Sequence, residues 1–233
     1  MIALFIGKRN GTNNKAILPH NLPFTILGTA LLWFGWFGFN AGSSLGANGL
    51  AVNAFVVTNT AAAAAGLSWA FLDWIFNKKP TMLGTATGIV AGLVAITPAA
   101  GFVSAFSALI IGLLVSIFCY IVVTVVKPKF GYDDALDVFG VHGIGGIWGA
   151  VATGLFASKA INPAGADGLF FGNPKQVMIQ LLAVGVTIAY SAVVSCIIYK
   201  LVDVTMKVRV TEKDETIGLD LSQHHENAYT ILE

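Results

Sequence analysis

The chain has 233 residues, of which 56% are hydrophobic and only 11% are charged, and its formal net charge is +1. A soluble domain carries about 25% charged residues, so this composition excludes an ordinary soluble protein. The near-neutral charge gives no indication of nucleic-acid binding. The apolar residues fall in long blocks, which match the roughly 20 residues that a helix needs to cross a bilayer. We therefore predict an all-α, polytopic membrane protein.

Six apolar blocks are predicted to be transmembrane helices, because only a backbone that satisfies its own hydrogen bonds can cross lipid. The predicted spans cover residues 22–44, 50–76, 82–97, 101–126, 133–157 and 176–206. Turn signals such as Asn77-Lys-Lys-Pro80 and Lys127-Pro-Lys129 separate them. Residues 1–7 are expected to be the last turns of a further helix whose beginning is missing. The predicted domains are residues 1–21, a transmembrane domain at 22–206 and a polar tail at 207–233.

The first predicted span carries a mixed aromatic stripe. Trp36, Phe39 and Ser43 are spaced by three and four residues, so they share one face of a helix. Two rings and a hydroxyl could hold a small cation through the ring quadrupoles and a hydrogen bond. An aromatic belt at the lipid interface is the alternative, since other aromatic residues cover the remaining faces of this span. The spacing leaves both explanations open.

Small residues recur at every fourth position in the first, third and fifth predicted spans. Gly84, Gly88 and Gly92 form one such face in the third span. Faces of this kind let helix backbones approach closely in lipid. We therefore expect the spans to pack as one tight bundle.

A single histidine, His142, lies inside the fifth predicted span. It is nine residues beyond Asp133, or roughly 13 Å at the helical rise, which would place it near the bilayer midplane. Ionisable residues at that depth usually line a path or a site. A neutral histidine bonded to a neighbouring helix is the alternative, but the glycine-rich span favours a functional role. One ring nitrogen donates and the other accepts, which suits a proton relay or a small polar solute.

The acidic residues have simpler explanations. Asp133 and Asp134 are expected to cap the first turn of the fifth span, whereas the role of Asp137 stays open. Asp73 is expected to pair with Lys78 or with the lysine that follows it. Because the sequence shows no nucleophile–base pair and no metal-ligand cluster, we predict neither an enzyme nor a cofactor or metal site.

The basic residues set the predicted orientation. Eleven lysines and arginines fall on one side of the predicted membrane and two on the other. This bias places both ends of the chain in the cytoplasm and agrees with an even number of spans. We predict a multi-pass protein of the cell membrane, in contact with lipid.

Several motifs, in this order and spacing, resemble those of the ammonium transporter family (Amt/Mep/Rh). They are Pro19-His-Asn-Leu-Pro23, Gly35-Trp-Phe-Gly-Phe-Asn-Ala-Gly-Ser43, Gly92-Leu-Val-Ala-Ile-Thr-Pro98, Asp137-Val-Phe-Gly-Val-His-Gly143, Gly218-Leu-Asp and His225-Glu-Asn-Ala-Tyr229. The resemblance implies a homotrimer with one hydrophobic pore per subunit. It also implies eleven spans, made of two inverted five-helix repeats and a final helix. This chain then resembles the second repeat, the final span and the tail, and we expect it to be a fragment that is not competent alone.

The resemblance also implies roles for individual residues. His142 is similar to one member of a twin-histidine pair in the pore, Phe39 to a gating phenylalanine, and Ser43 to the serine of an outer ammonium site. Trp36 lies on the same pore-side stripe. In the family, ammonium is recruited by aromatic rings and deprotonated near the outer end of the pore. Ammonia then crosses the apolar section, and the histidines are thought to carry the proton.

The tail has a regulatory role by resemblance. Gly218, Asp220 and the loop from Lys127 to Asp134 would lie on the cytoplasmic face, where a PII-class signalling protein can plug the pore. Asp137 is grouped with these structural or regulatory residues. Two alternatives stay open: a non-transporting or split-gene membrane subunit of the same fold, and an ammonium sensor that acts through its tail. The short tail counts against a self-contained sensor.

Overall fold

The computed structural model describes residues 1–10 and 18–227, and over these ranges the regular secondary structure is entirely helical. The α-helices are α1 (Ile2–Ile6), α2 (Leu22–Ala41), α3 (Gly49–Asn77), α4 (Met82–Ile96), α5 (Ala105–Ile121), α6 (Lys127–Phe130), α7 (Ile144–Phe156), α8 (Lys175–Met206) and α9 (Glu212–Ile217). Tighter 3₁₀ turns follow α2 and α4 and precede α8, at Gly42–Ser44, Thr97–Ala99 and Leu169–Phe171. Wider π-helical turns occur at Val122–Val126, Phe139–Gly143 and Asp220–His224.

The six predicted spans are confirmed, since six helical segments of the described chain are long and apolar enough to cross a membrane. Polar side chains set where four of them begin. Asn21 accepts from the amide of Phe24, and Asn48, Thr81 and Ser104 cap α3, α4 and α5 in the same way. Each oxygen satisfies a backbone donor that has no partner within its own helix.

The fourth span differs from its predicted bounds at both ends. It begins after Ser104, because this residue caps the helix and Gly101 (φ +82°) turns the chain before it. The predicted stop at Lys127 is wrong, since α5 continues through a π-helical turn into α6. Pro128 lies in the first turn of α6, where its missing amide hydrogen is tolerated. Gly131, at φ +61°, ends the helix.

The fifth span begins later than predicted. The expectation that it starts at Asp133 is wrong, because Asp137 has φ +53° and the helical segment covers Phe139–Phe156. Asp134 caps this segment from outside and accepts hydrogen bonds from the amides of Val138 and Phe139, both at 2.9 Å. His142 is therefore the fourth residue of its span, not a residue near its middle.

The core lies where α4, α5 and α7 pack closely around α3 and one another. A Cβ atom added at Gly92 would lie 2.5 Å from the carbonyl oxygen of Ala61 in α3. Gly112 of α5 approaches the same carbonyl group, and Gly149 of α7 approaches that of Ala95 in α4. The predicted close packing is confirmed for the third and fifth spans. It is not seen for the first, because Gly38 has no described neighbour within 4 Å of such an added atom.

The first and last spans lie at the outside of the described bundle. Only 6% of the most apolar window of the first span is buried, and none of that of α8. Because α8 has 32 residues, it is about 48 Å long, which exceeds the apolar thickness of a bilayer of about 30 Å. A helix of that length crosses a membrane at a tilt.

Candidate functional site

The aromatic stripe of α2 is an ordered feature. The rings of Trp36 and Phe39 meet edge to face, with centroids 5.8 Å apart. Trp36 is held by its indole N–H, which donates to the hydroxyl of Thr97 at 2.8 Å. Phe39 remains 61% exposed. The hydroxyl of Ser43 donates to the carbonyl oxygen of Phe39 at 2.6 Å, so its oxygen lone pairs are available as acceptors for a cationic ligand.

One buried hydrogen bond fixes the angle at which this stripe is presented. The side-chain amide of Asn40 donates to the hydroxyl of Thr58 in α3 at 2.9 Å, and both residues are buried. The Thr58 hydroxyl in turn donates a hydrogen bond to the carbonyl oxygen of Ala54. The face of α2 that carries Asn40 is thus attached to α3, and Phe39, the preceding residue, is directed away from this contact.

His142 lies in the π-helical turn that precedes α7. Turns of this type occur often at functional sites, because the extra residue redirects the side chains that follow. The neighbouring Gly140 and Val141 are buried, whereas His142 itself is exposed. Within the described residues the imidazole makes no hydrogen bond. Packing of Gly140 against Val123 of the preceding π-helical turn holds the histidine turn in place.

A cavity of about 460 Å³ adjoins His142. Its wall includes α2, α3, α4 and α5, together with the loop that precedes α7. Asp73, Tyr120 and Asp137 contribute polar groups to it, and Trp69 contributes an aromatic ring. The structure thus brings His142 together with Asp137. It does not bring the stripe of Trp36, Phe39 and Ser43 to this cavity.

Asp73 differs from its sequence prediction. Its carboxylate accepts hydrogen bonds from the Thr81 hydroxyl at 2.6 Å and from the Asn77 side-chain amide at 3.0 Å. The expected pairing with a lysine is wrong, because the Lys78 ammonium group donates to the carbonyl oxygen of Ile75 and Asp73 takes part in no described ion pair. Sequence reasoning missed this residue as part of the cavity. The sequence did contain one indication of this contact: Thr81, just before α4, has a hydroxyl that can donate to a nearby carboxylate.

A group of ion pairs defines what we call the basic end of the bundle, named for Arg9, Lys127 and Arg209. The Arg9 guanidinium donates two hydrogen bonds to Asp133, at 2.7 and 2.8 Å. These bonds hold the pKa of the Asp133 carboxyl below its usual range. The expectation that Asp133 caps the fifth span is therefore wrong. Asp133 instead ties the loop before this span to the N-terminal segment.

Asp137 forms the second ion pair of the basic end. The ammonium group of Lys127 donates to its carboxylate at 2.6 Å. Burial nevertheless raises the pKa of the Asp137 carboxyl, and the lysine only partly offsets this effect. The pair links the end of the fourth span to the residue that precedes the histidine turn.

Arg209, the third member of the basic end, connects the tail to the N-terminal segment. It donates to the carbonyl oxygens of Ile6 at 2.9 Å and Lys8 at 2.8 Å, and it pairs with Glu215. Glu215 also accepts from the Asn10 amide at 2.7 Å, and this bond lowers the pKa of its carboxyl.

The two tail residues singled out from the sequence lie just beyond this cluster. Gly218 has φ +107°, which favours glycine, and Asp220 opens the π-helical turn of the tail. The end of the tail motif, Ala228 and Tyr229, lies outside the described residues.

Comparison with known proteins decides the family. Residues 1–229 match the model of the Ammonium Transporter Family. The chain belongs to this family. It is 52% identical to an ammonium transporter of Bacillus subtilis over 98% of its length. The crystal structure of Saccharomyces cerevisiae Mep2 superimposes with a TM-score of 0.83 at 37% identity and covers 91% of the chain. A solved structure named Sensor Amt Protein gives a TM-score of 0.84 at 32% identity over 95% of the chain.

The similarity concerns one part of each relative. The chain spans 56% of the Bacillus subtilis transporter, 50% of the Mep2 chain and 55% of the sensor protein. The expected fold, a multi-pass helical membrane bundle of the ammonium transporter type, is confirmed over this part.

Proposed function

We propose that this chain forms part of the wall of a pore that conducts ammonium or ammonia across the cell membrane. Two features of this ammonium-transporter bundle carry the proposal. One is the stripe of Trp36, Phe39 and Ser43 on α2, on which Phe39 is exposed, and the other is the exposed His142 on its π-helical turn. Phe39 and Trp36 offer ring faces to a cation, and Ser43 offers an acceptor. Since Phe39 and His142 are exposed, other spans complete the pore wall in a working transporter.

His142 supplies the proposed pore with a neutral polar group. An imidazole with no described partner has one donor and one acceptor free for ammonia, water or a transferred proton. The flanking residues on the span are glycines and apolar residues. A small uncharged solute can pass such a wall, whereas a hydrated cation would lose its water without compensation.

The test of this role is methylammonium uptake by cells that produce the complete transporter. We expect His142→Ala to lower uptake and to change its pH dependence. The control is His224→Ala in the exposed tail, which should leave both unchanged. Unchanged uptake and pH dependence in His142→Ala would show that this residue does not face the conducted species.

The basic end is proposed to lie in the cytoplasm, together with both ends of the chain. The distribution of lysine and arginine supports this orientation. We further propose a homotrimer, and a PII-class signalling protein as a partner that binds over Gly218, Asp220 and the loop of residues 127–134. Labelling of cysteines introduced near Lys213 tests the orientation, and native mass spectrometry with and without the partner tests the assembly.

An ammonium sensor is the second candidate function, since the sensor protein superimposes on 95% of this chain. The contact of Arg209 with the N-terminal segment gives the tail a direct link to the bundle. Flux separates the two functions: a pure sensor would bind ammonium without moving it. We favour transport, because the transporter of Bacillus subtilis is 52% identical to this chain.

A further inference from the structure

The cavity beside His142 contains a carboxylate that has no counter-charge among the described residues. Asp73 is only 4% exposed, and no described cationic side chain forms an ion pair with it. Its three hydrogen bonds come from neutral donors, namely the amide and hydroxyl of Thr81 and the side chain of Asn77. Buried carboxylates are usually paired with a cation. The carboxyl group of Asp73 is thus held in place by neutral donors and faces no described counter-charge.

The surrounding helices are built to hold this carboxylate. A Cβ atom at Gly84 would overlap the Oδ2 atom of Asp73 and would lie 2.9 Å from the ring of Trp69. Only glycine leaves this space open. Thr81 caps α4 by accepting from the Gly84 amide, and it donates its hydroxyl proton to Asp73. The start of α4 therefore fixes the position of the charge.

The threonine hydroxyls in the cavity wall offer acceptors and no free donors. Five threonines line the cavity, and the hydroxyl of each donates a hydrogen bond. Four of them donate to the backbone carbonyl of the residue four positions earlier, namely Thr25, Thr29, Thr87 and Thr124, and Thr81 donates to Asp73. An anion would find no donor among these five threonine hydroxyls. A ligand that carries only donors would find several oxygen acceptors.

Two aromatic rings complete the arrangement. Trp69 and Tyr120 both line the cavity and meet edge to face, with centroids 5.5 Å apart. Ring faces attract small cations, and tryptophan does so most strongly. A cavity of about 460 Å³ has room for a small cation with several water molecules, each of which takes roughly 30 Å³.

We propose that this cavity is a second cation site, at which ammonium binds on the side of the basic end, with Asp73 as its counter-charge. This inference rests on the proposed function for the identity of the cation and goes beyond it in placing a site away from the outer stripe. Ammonium carries four donors and one positive charge, which match the acceptor oxygens, the carboxylate and the rings. The site holds its cation partly hydrated and beside His142.

The first test needs no variant. Crystals of the wild-type complete transporter are soaked in thallous ion, which replaces ammonium and gives an anomalous signal. We expect a peak in contact with the carboxylate of Asp73, and ammonium should displace it. A map without density at Asp73, in crystals that show thallium elsewhere in the pore, would overturn the proposal. If the transporter moved no ammonium but thallium bound at Asp73, the proposed function would fail and the cation site would stand.

The second test is the variant Asp73→Asn, measured in vesicles of both orientations. The amide of Asn77 can rotate to accept from the new asparagine, so the local bonds persist. We expect the half-saturating ammonium concentration to rise by about tenfold from the side of the basic end and to stay unchanged from the other side. Ser43→Ala should give the opposite pattern. An equal change on both sides, or none on either, would refute the assignment. If the variant fails to fold, the thallium measurement decides.

Discussion

The contact between α3 and α4 at Gly92 gives the most direct prediction about the fold. In Gly92→Ala the new methyl group would lie 2.5 Å from the Ala61 carbonyl oxygen, 2.7 Å from the Cβ of Ala65 and 2.8 Å from the Cα of Ala62. Ordinary contacts of a Cβ atom lie at 3.4–4 Å. All three neighbours belong to the backbone or to a Cβ atom of α3, so no side chain can rotate away. The two helices must therefore separate by roughly 1 Å.

Overpacking of this kind costs about 1–3 kcal/mol. For a chain of 150–250 residues, this free energy corresponds to a fall in apparent Tm of roughly 2–12 °C. The measurement is thermal unfolding of the purified protein in detergent. The matched control is Gly185→Ala in α8, where no described atom lies within 4 Å of the added methyl group. It should leave the Tm unchanged or raise it slightly, because alanine favours helix more than glycine does. Equal Tm values for the two variants would refute the close backbone contact.

Two further predictions concern the basic end. Asp133→Asn should destabilise the protein at neutral pH and destabilise it less in acid. The folded pKa of Asp133 is lowered, so its stabilising effect is full above the ordinary carboxyl pKa of about 4 and declines as the pH falls toward the lower folded value. Denaturation of both proteins at pH 6 and at about pH 3 measures this difference, and a gap that did not shrink between the two pH values would contradict the ion pair. Arg209→Lys should release the tail, because a lysine ammonium group cannot replace the planar set of guanidinium donors that binds Ile6, Lys8 and Glu215 together. Chymotrypsin should then cut faster at Leu219. Lys213→Ala, at an exposed position, should keep the wild-type rate, and equal rates for all three proteins would show that Arg209 does not hold the tail.

The number of spans and their approximate positions could be predicted because bilayer thickness fixes the length of an apolar helix. The family motifs, in turn, identified the fold. The exact helix starts could not be predicted, since they depend on which polar side chain reaches a free amide. Asp133 was expected to cap its own helix. It pairs instead with Arg9, which is 124 residues away in sequence.

The environment of Asp73 could not be predicted for a similar reason. Lys78 is nearer in sequence than Thr81, but the left-handed residue at Lys78 (φ +64°) ends α3. The chain then returns with the start of α4 against the carboxylate. The predicted position of His142 near the middle of its span is wrong, because it assumed a continuous helix from Asp133. The left-handed backbone at Asp137 and the following π-helical turn break that assumption.

A pair of phenylalanines on α2 tests most directly whether this helix presents an ammonium-binding face to a pore. Phe39 and Phe34 are 61% and 77% exposed, and only Phe39 shares its face with Trp36 and Ser43. Methylammonium uptake should be measured for the complete transporter with Phe39→Ala or Phe34→Ala, at matched surface expression. We expect Phe39→Ala to alter uptake strongly and Phe34→Ala to leave it near wild type. Wild-type uptake in Phe39→Ala, or equal losses in both variants, would contradict it.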